Sequence, residues 1–201
     1  MYQNREQTEA KHAILRRYLV PFAQKILRTY GSLDFIDGFS GPWENRDEDR
    51  LTDTSIGIAL ETLSAVVEDV RRTQPAAKVC CIFNELNGKA FTKLSEFVER
   101  HGSNFPSVDV RIFQGRFEDN ASVIRSASTN RFRLLFVDPK GYTGFPPSVL
   151  SEFKGRNTEI FVNVMRSFLV RFVSGAHEDS RAIAFGSALW SRRFQAIENA
   201  A

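Results

Sequence analysis

Apolar residues recur along this chain in two alternating rhythms: a helical spacing of three to four, and short unbroken runs. Residues 8–29 place Ile14, Leu15, Tyr18, Leu19, Phe22, Ala23, Ile26 and Leu27 at helical spacing, with Pro21 marking a kink or a break between two helices. Residues 33–36 then run directly into Asp37-Gly38, which predicts a short buried strand ending in a turn. After a charged loop at 43–53, residues 55–72 repeat Ile56, Ala59, Leu60, Leu63, Val66 and Val67 at helical spacing, with Thr54 or Ser55 as the N-cap.

The alternation continues to the end. Residues 78–83 are an apolar run too short for a helix, so a buried strand is expected. Asn87 suits the cap of a helix over 88–101, residues 108–113 read as a third strand, and a weaker helix follows around 118–128. Residues 133–137 form a fourth strand ending at Asp138-Pro139, Pro146-Pro147 opens a helix to 154, and 159–164 is a fifth strand. Helical stretches near 168–174 and 182–197 close the chain. Strands alternating with helices predict a parallel sheet covered on both faces. In such sheets ligands bind beyond the carboxyl ends of the strands, which directs attention to Asp37, Glu85, Gln114 and Asp138.

Length and composition narrow the picture. A chain of 201 residues fits one domain, read as an N-terminal helical segment (1–30), a core (31–175) and a C-terminal helical segment (176–201). No apolar run approaches the ~20 residues that span a bilayer, and residues 1–11 carry no apolar signal core, so a cytoplasmic protein is expected. Cys80 and Cys81 are adjacent within an apolar run and read as buried thiols in a reducing compartment. A net charge of +3 is too small to argue for nucleic-acid binding, although Arg156, Arg166, Arg171, Arg181, Arg192 and Arg193 make the last quarter basic. His12, His101 and His177 are dispersed, so no metal site is expected.

Four turns carry the candidate chemistry. Asp37-Gly38-Phe39-Ser40-Gly41-Pro42 is neither Gly-x-Gly-x-x-Gly nor a phosphate-gripping loop; an acid followed by small residues suits a ligand with an amino group and no phosphate, and equally suits an ordinary turn. Glu85, ending the second strand, can accept both hydroxyls of a ribose or stand as a solvent-exposed acid. After the third strand, Phe117 could pack on a base and Gln114 or Glu118 could bond its edge. After the fourth, Asp138 could hold an amine or polarise a nucleophile, Pro139 stiffens the turn, and Tyr142 could stack on a flat substrate.

Residues 35–42, Phe-Ile-Asp-Gly-Phe-Ser-Gly-Pro, resemble the first motif of class I S-adenosylmethionine-dependent methyltransferases, in the Asp-x-Phe-Ala/Ser-Gly-Pro/Thr-Gly variant of DNA methyltransferases. Across 11–172 the chain resembles the three-Cys-motif partner (TcmP) family of bacterial proteins. The features are Lys11-His12-x-x-Leu15-x-x-Tyr18-Leu19, Phe39-Ser40-Gly41-Pro42, Thr54-Ser55-x-x-x-Ala59-Leu60, Phe136-Val137-Asp138-Pro139-x-Gly141 and Asn163-x-Met165 followed by Arg171.

The resemblance implies a Rossmann-like α/β sheet with five parallel strands in order 3-2-1-4-5 and helices on both faces; methyltransferases of this class usually continue to an antiparallel sixth and seventh strand, and no such hairpin is read after Val164. It also implies S-adenosylmethionine contacts at Asp37, Gly38, Phe39, Ser40 and Gly41, ribose contacts at Glu85, a reaction side at Asp138 and Pro139, and a partner protein carrying three cysteines, conceivably an iron–sulfur protein. Two departures stand out: Trp43 replaces the glycine expected after Pro42, and Lys140 replaces the second proline of the Asp/Asn-Pro-Pro-Tyr/Phe motif. Two readings follow. One is a methyltransferase acting on nucleic acid; the other is a non-catalytic, methyltransferase-like partner of a cysteine-rich protein.

Overall fold

The structure, a computed structural model, describes residues 3–41, 51, 54–138, 147–155 and 157–162, with backbone alone for 3–10, 147 and 148. The expectations placed on Pro42, Trp43, Pro139, Lys140, Tyr142, Arg156, Asn163 and the segments 168–174 and 182–197 lie outside the described residues. In chain order the elements are α1 (Gln3–Tyr30), β1 (Ser32–Asp37), α2 (Ser55–Arg71), β2 (Lys78–Glu85), α3 (Gly88–His101), β3 (Val108–Gln114), α4 (Phe117–Ala127), β4 (Phe132–Val137), α5 (Pro147–Glu152) and β5 (Thr158–Val162), with a single 3-10 turn at Gly102–Asn104.

The five strands form one sheet in order β3-β2-β1-β4-β5, every pair parallel. Successive side chains alternate between its faces. Leu33 and Phe35 of β1, Val79, Cys81 and Phe83 of β2, and Phe132, Leu134 and Phe136 of β4 share a core with α1, α2 and α3. Ile36, Cys80, Ile82, Leu135 and Val137 point the other way and pack with Phe117, Ala121 and Ile124 of α4, Val149 of α5, and Phe153. Both faces are thus covered, as the strand–helix alternation predicts. Cys80 and Cys81 are free and buried, and burial pushes both thiols up from their ordinary range.

Of the two readings of Pro21, a kink or a break between two helices, the break is excluded. α1 runs unbroken through Pro21 as a single helix of 28 residues. A proline deprives the carbonyl four residues earlier of its hydrogen bond and costs about 3 kcal/mol in a helix interior. Pro21 and Arg17 both lie on the exposed face, where water can meet the freed carbonyl. On the other face Leu15, Leu19, Phe22, Ala23, Ile26 and Leu27 are buried, and each large side chain among them contributes about 1.5–3 kcal/mol. The buried stripe outweighs the lost bond.

Local chemistry sets the other boundaries. Gly31 ends α1 at φ +76°, its N–H donating to Leu27 O at 2.9 Å. Thr54, not Ser55, caps α2: its Oγ1 accepts from Gly57 N at 3.1 Å. Asn87 caps α3 by accepting from Lys89 N and Ala90 N at 2.9 and 3.1 Å. β2 and β3 run further than the apolar runs suggest. Glu85 and Gln114 pair with each other in the ladder, so they are the last residues of their strands rather than the first beyond them, as Asp37 is of β1.

Candidate functional site

Asp37, Glu85 and Asp138 meet at the carboxyl edge of the three central strands. Asp37 has no solvent exposure. Its Oδ1 accepts from Phe39 N at 2.9 Å, closing the turn upon itself, and its Oδ2 accepts from Ser55 Oγ at 2.6 Å. With Thr54 serving as cap, the Ser55 hydroxyl is left to face the acid. Ser40 adds a bond from Oγ to Asp37 O at 3.2 Å. Burial pushes the Asp37 carboxyl up to about 7; Ser55 and the Phe39 N–H oppose the rise, while the charges of Asp138 and Glu85 add to it. The turn after β1 is therefore held by an acid that titrates near neutrality.

Glu85 is 6 % exposed and belongs to the adjacent strand. Its Oε1 accepts from Asn87 N at 2.6 Å, which fixes the carboxylate at the entry to α3. The other oxygen lies over Gly41: a Cβ added there would sit 2.1 Å from Oε2. Only glycine at 41 lets that carboxylate reach across the turn. Gly38 is less severely constrained: a Cβ on it would lie 3.1 Å from the Phe117 ring, which would have to give by a few tenths of an ångström.

The turns after β1 and β3 are joined by a buried amide. Asn84 Nδ2 donates to Gly38 O at 3.3 Å and to Gly115 O at 3.1 Å, and Asn120 Nδ2 donates to Asn84 Oδ1 at 2.8 Å. Main-chain bonds from Ser40 N to Asn84 O and from Gly115 N to Glu85 O, both 3.0 Å, tie each of these turns to the end of β2. Gly115 adopts φ +129°, a region that strains any other residue.

Asp138 follows β4, and Lys11 of α1 reaches it: Nζ lies 3.0 Å from Oδ1 and 3.4 Å from Oδ2. Both side chains are about a quarter exposed, at 22 % and 25 %. The first helix thereby touches the proposed reaction edge from the face it covers.

The structure brings Asp37, Gly38, Phe39, Ser40, Gly41, Glu85 and Asp138 to this edge. Phe117 sits differently from the expectation of a ring stacked on a base. It is 2 % exposed, lies beneath Gly38, and contacts Phe39 and Phe153 at centroid distances of 5.7 and 5.8 Å. As the first residue of α4 it turns inward to the sheet, so it forms the floor of the turn. Gln114 is exposed at the end of β3, and Glu118 accepts from Arg116 Nε at 2.9 Å.

Sequence reasoning places none of Lys11, Ser55, Asn84 or Asn120 in bonds at this edge; Ser55 reads only as an alternative helix cap. The signal for Asn84 was slight, a polar residue directly after the apolar run that ends at Phe83; the partners of the others lie too far along the chain to read. Among the described residues no group of three or more His, Cys, Asp or Glu side chains is arranged to hold a metal ion, and no helix is long and apolar enough to cross a membrane. Comparison with family models and with curated proteins finds no match to this chain.

Proposed function

We propose that this chain is an S-adenosylmethionine-dependent methyltransferase of three-Cys-motif partner type, acting on nucleic acid. One observation carries the reading: an acid-Gly turn after β1 and a buried acid at the end of β2 are pressed together through Gly41. That juxtaposition suits a ligand with a ribose and a cationic amino-acid portion and without phosphate. The strand order 3-2-1-4-5 and its all-parallel pairing support it.

The residues divide the work as follows. Glu85 accepts the ribose hydroxyls, and the backbone of Gly38, Phe39, Ser40 and Gly41 lies against the amino-acid portion. Asp37 acts through the turn, because both of its oxygens are engaged. A cation at this edge favours the ionised form of Asp37, whose carboxyl is pushed up to about 7 by burial. The cofactor, when bound, supplies a methyl group on a sulfonium for in-line displacement, a reaction in which positioning does much of the catalysis. Asp138 orients the acceptor; Pro139 and Tyr142, to which the sequence also points for that role, lie outside the described residues.

The test is isothermal titration with S-adenosylmethionine and with its demethylated product. Binding of both, weakened in Glu85→Ala, is expected; no heat for either at high micromolar concentration sinks the proposal. A second reading, a non-catalytic partner of a cysteine-rich protein, is favoured by the Lys11–Asp138 pair, which already engages the acid that an acceptor would need. Cofactor binding without transfer to any DNA, RNA or protein supports it, and one labelled acceptor removes it.

A further inference from the structure

Asn84 is 2 % exposed and lies one residue before Glu85, on the opposite face of the sheet. Alternation sets it in line with Cys80 and Ile82, among the residues that pack on α4. An amide in such a place costs free energy unless its donors and acceptor are met. Here they are: two N–H groups reach two carbonyls and the oxygen takes one N–H. The two carbonyls belong to Gly38 and Gly115, residues of turns 77 positions apart in the chain, in strands that do not pair with each other. Asn120 also donates to Gln114 O at 3.0 Å, so the start of α4 is tied into the same cluster.

We propose that Asn84 is a positioning residue, an amide that, together with the packing of Phe117 beneath Gly38 and Phe39, sets the distance between the turn after β1 and the turn after β3 and thereby holds both ends of a nucleoside ligand. The inference rests on the cofactor reading above. β2 separates the two turns, and no described hydrogen bond joins them directly. The side chain of Asn84 binds the Gly38 carbonyl while its own carbonyl accepts from Ser40, so the first turn is gripped at two points. Asn84 touches no reacting atom. Its effect falls on ligand affinity, through Gly38–Gly41 on one side and Gln114–Phe117 on the other.

Asn84→Asp tests this, with the demethylated cofactor as titrant. At pH 8 the introduced carboxylate faces two carbonyls and can donate to neither, so affinity is expected to fall by about tenfold or more relative to the parent. As the pH falls and the carboxyl takes up a proton, it regains one O–H donor, and the ratio to the parent at the same pH returns toward one. Asn120→Ala, which removes the bond that orients the amide, is the milder companion, with a loss of about threefold to tenfold expected. Asp34→Asn is the control: Asp34 is buried near the other end of β1 and bound by Ser128 and Asn130, so it perturbs stability away from the ligand edge.

Unchanged affinity in both Asn variants overturns the assignment. So does a loss that Asp34→Asn reproduces at matched stability, or one that ignores pH. If the parent itself binds no ligand, the cofactor reading falls. Hydrogen exchange then decides the clamp alone: Asn84→Asp must raise exchange at Ser40 and Gly115 together, and protection retained at either refutes it.

Discussion

Asp37→Asn should make the protein more stable at alkaline pH than its parent, although it removes a charge from the centre of the candidate site. In the fold Asp37 is wholly buried, and its carboxyl is pushed from an ordinary 3.8 up to about 7. The folded chain therefore holds a proton that the unfolded chain releases. The contribution of Asp37 to stability is greatest below about pH 4, falls as the pH rises toward 7, and is level above that. The interval between the two values corresponds to roughly 4 kcal/mol, of which about 3 kcal/mol is lost between pH 5 and pH 8.5.

Asparagine keeps the shape. Its oxygen can accept from Phe39 N, and the Ser55 hydroxyl can turn to accept from its amide. Urea unfolding of parent and variant at a series of pH values gives the difference directly. That difference isolates Asp37, since Asp34, whose carboxyl burial also raises, titrates in both proteins. The variant should gain about 3 kcal/mol on its parent between pH 5 and pH 8.5. Parallel stability profiles would refute the reasoning, because they would mean that Asp37 ionises in the fold as easily as in the unfolded chain.

Three further outcomes are expected. Gly41→Ala places a methyl group on the Glu85 carboxylate and should cost about 1–3 kcal/mol in thermal or urea unfolding, with most of the loss recovered when Glu85→Ala is added in a double-mutant cycle. Phe117→Ala, which empties the floor beneath Gly38, should cost about 3–5 kcal/mol; a loss under 1 kcal/mol would place the ring outside the core. Lys11→Ala removes a partly exposed ion pair and should change stability by no more than about 1 kcal/mol, an effect that added salt diminishes.

The elements were legible because helix and strand rhythms here rarely conflict, and because Thr54 and Asn87 are strong capping residues at the right places. Pro21 left a kink and a break both open for a reason of geometry: the sequence shows that a hydrogen bond is lost but not that the orphaned carbonyl faces water. The acids of the site were legible by position, since carboxylates ending apolar strands have few structural uses. What surrounds them was not. Lys11 meets Asp138 across 127 residues, Ser55 meets Asp37 across 18, and Asn84 meets Gly38 across 46. No local pattern encodes those meetings. Phe117 shows the converse error, a residue of suitable type for a base platform that the first turn of α4 commits to the core.

The central position of β1 governs the order in which this molecule can assemble. β1 pairs with β2 on one side and with β4 on the other, so half of its ladder waits for a segment that begins at Phe132. Asp34 waits as well, because its partners Ser128 and Asn130 lie 94 and 96 residues downstream. At synthesis rates of about 5–20 residues per second, that gap lasts about 5 to 20 s. Throughout it, one edge of an apolar strand stands open beside an acid with nothing to bind. Growth from β1 outward through β2 and β3 can begin early, but β1 is closed only when β4 arrives and satisfies strand and carboxylate together. The edge proposed to hold a ligand is thus completed before the sheet itself, which still lacks β5.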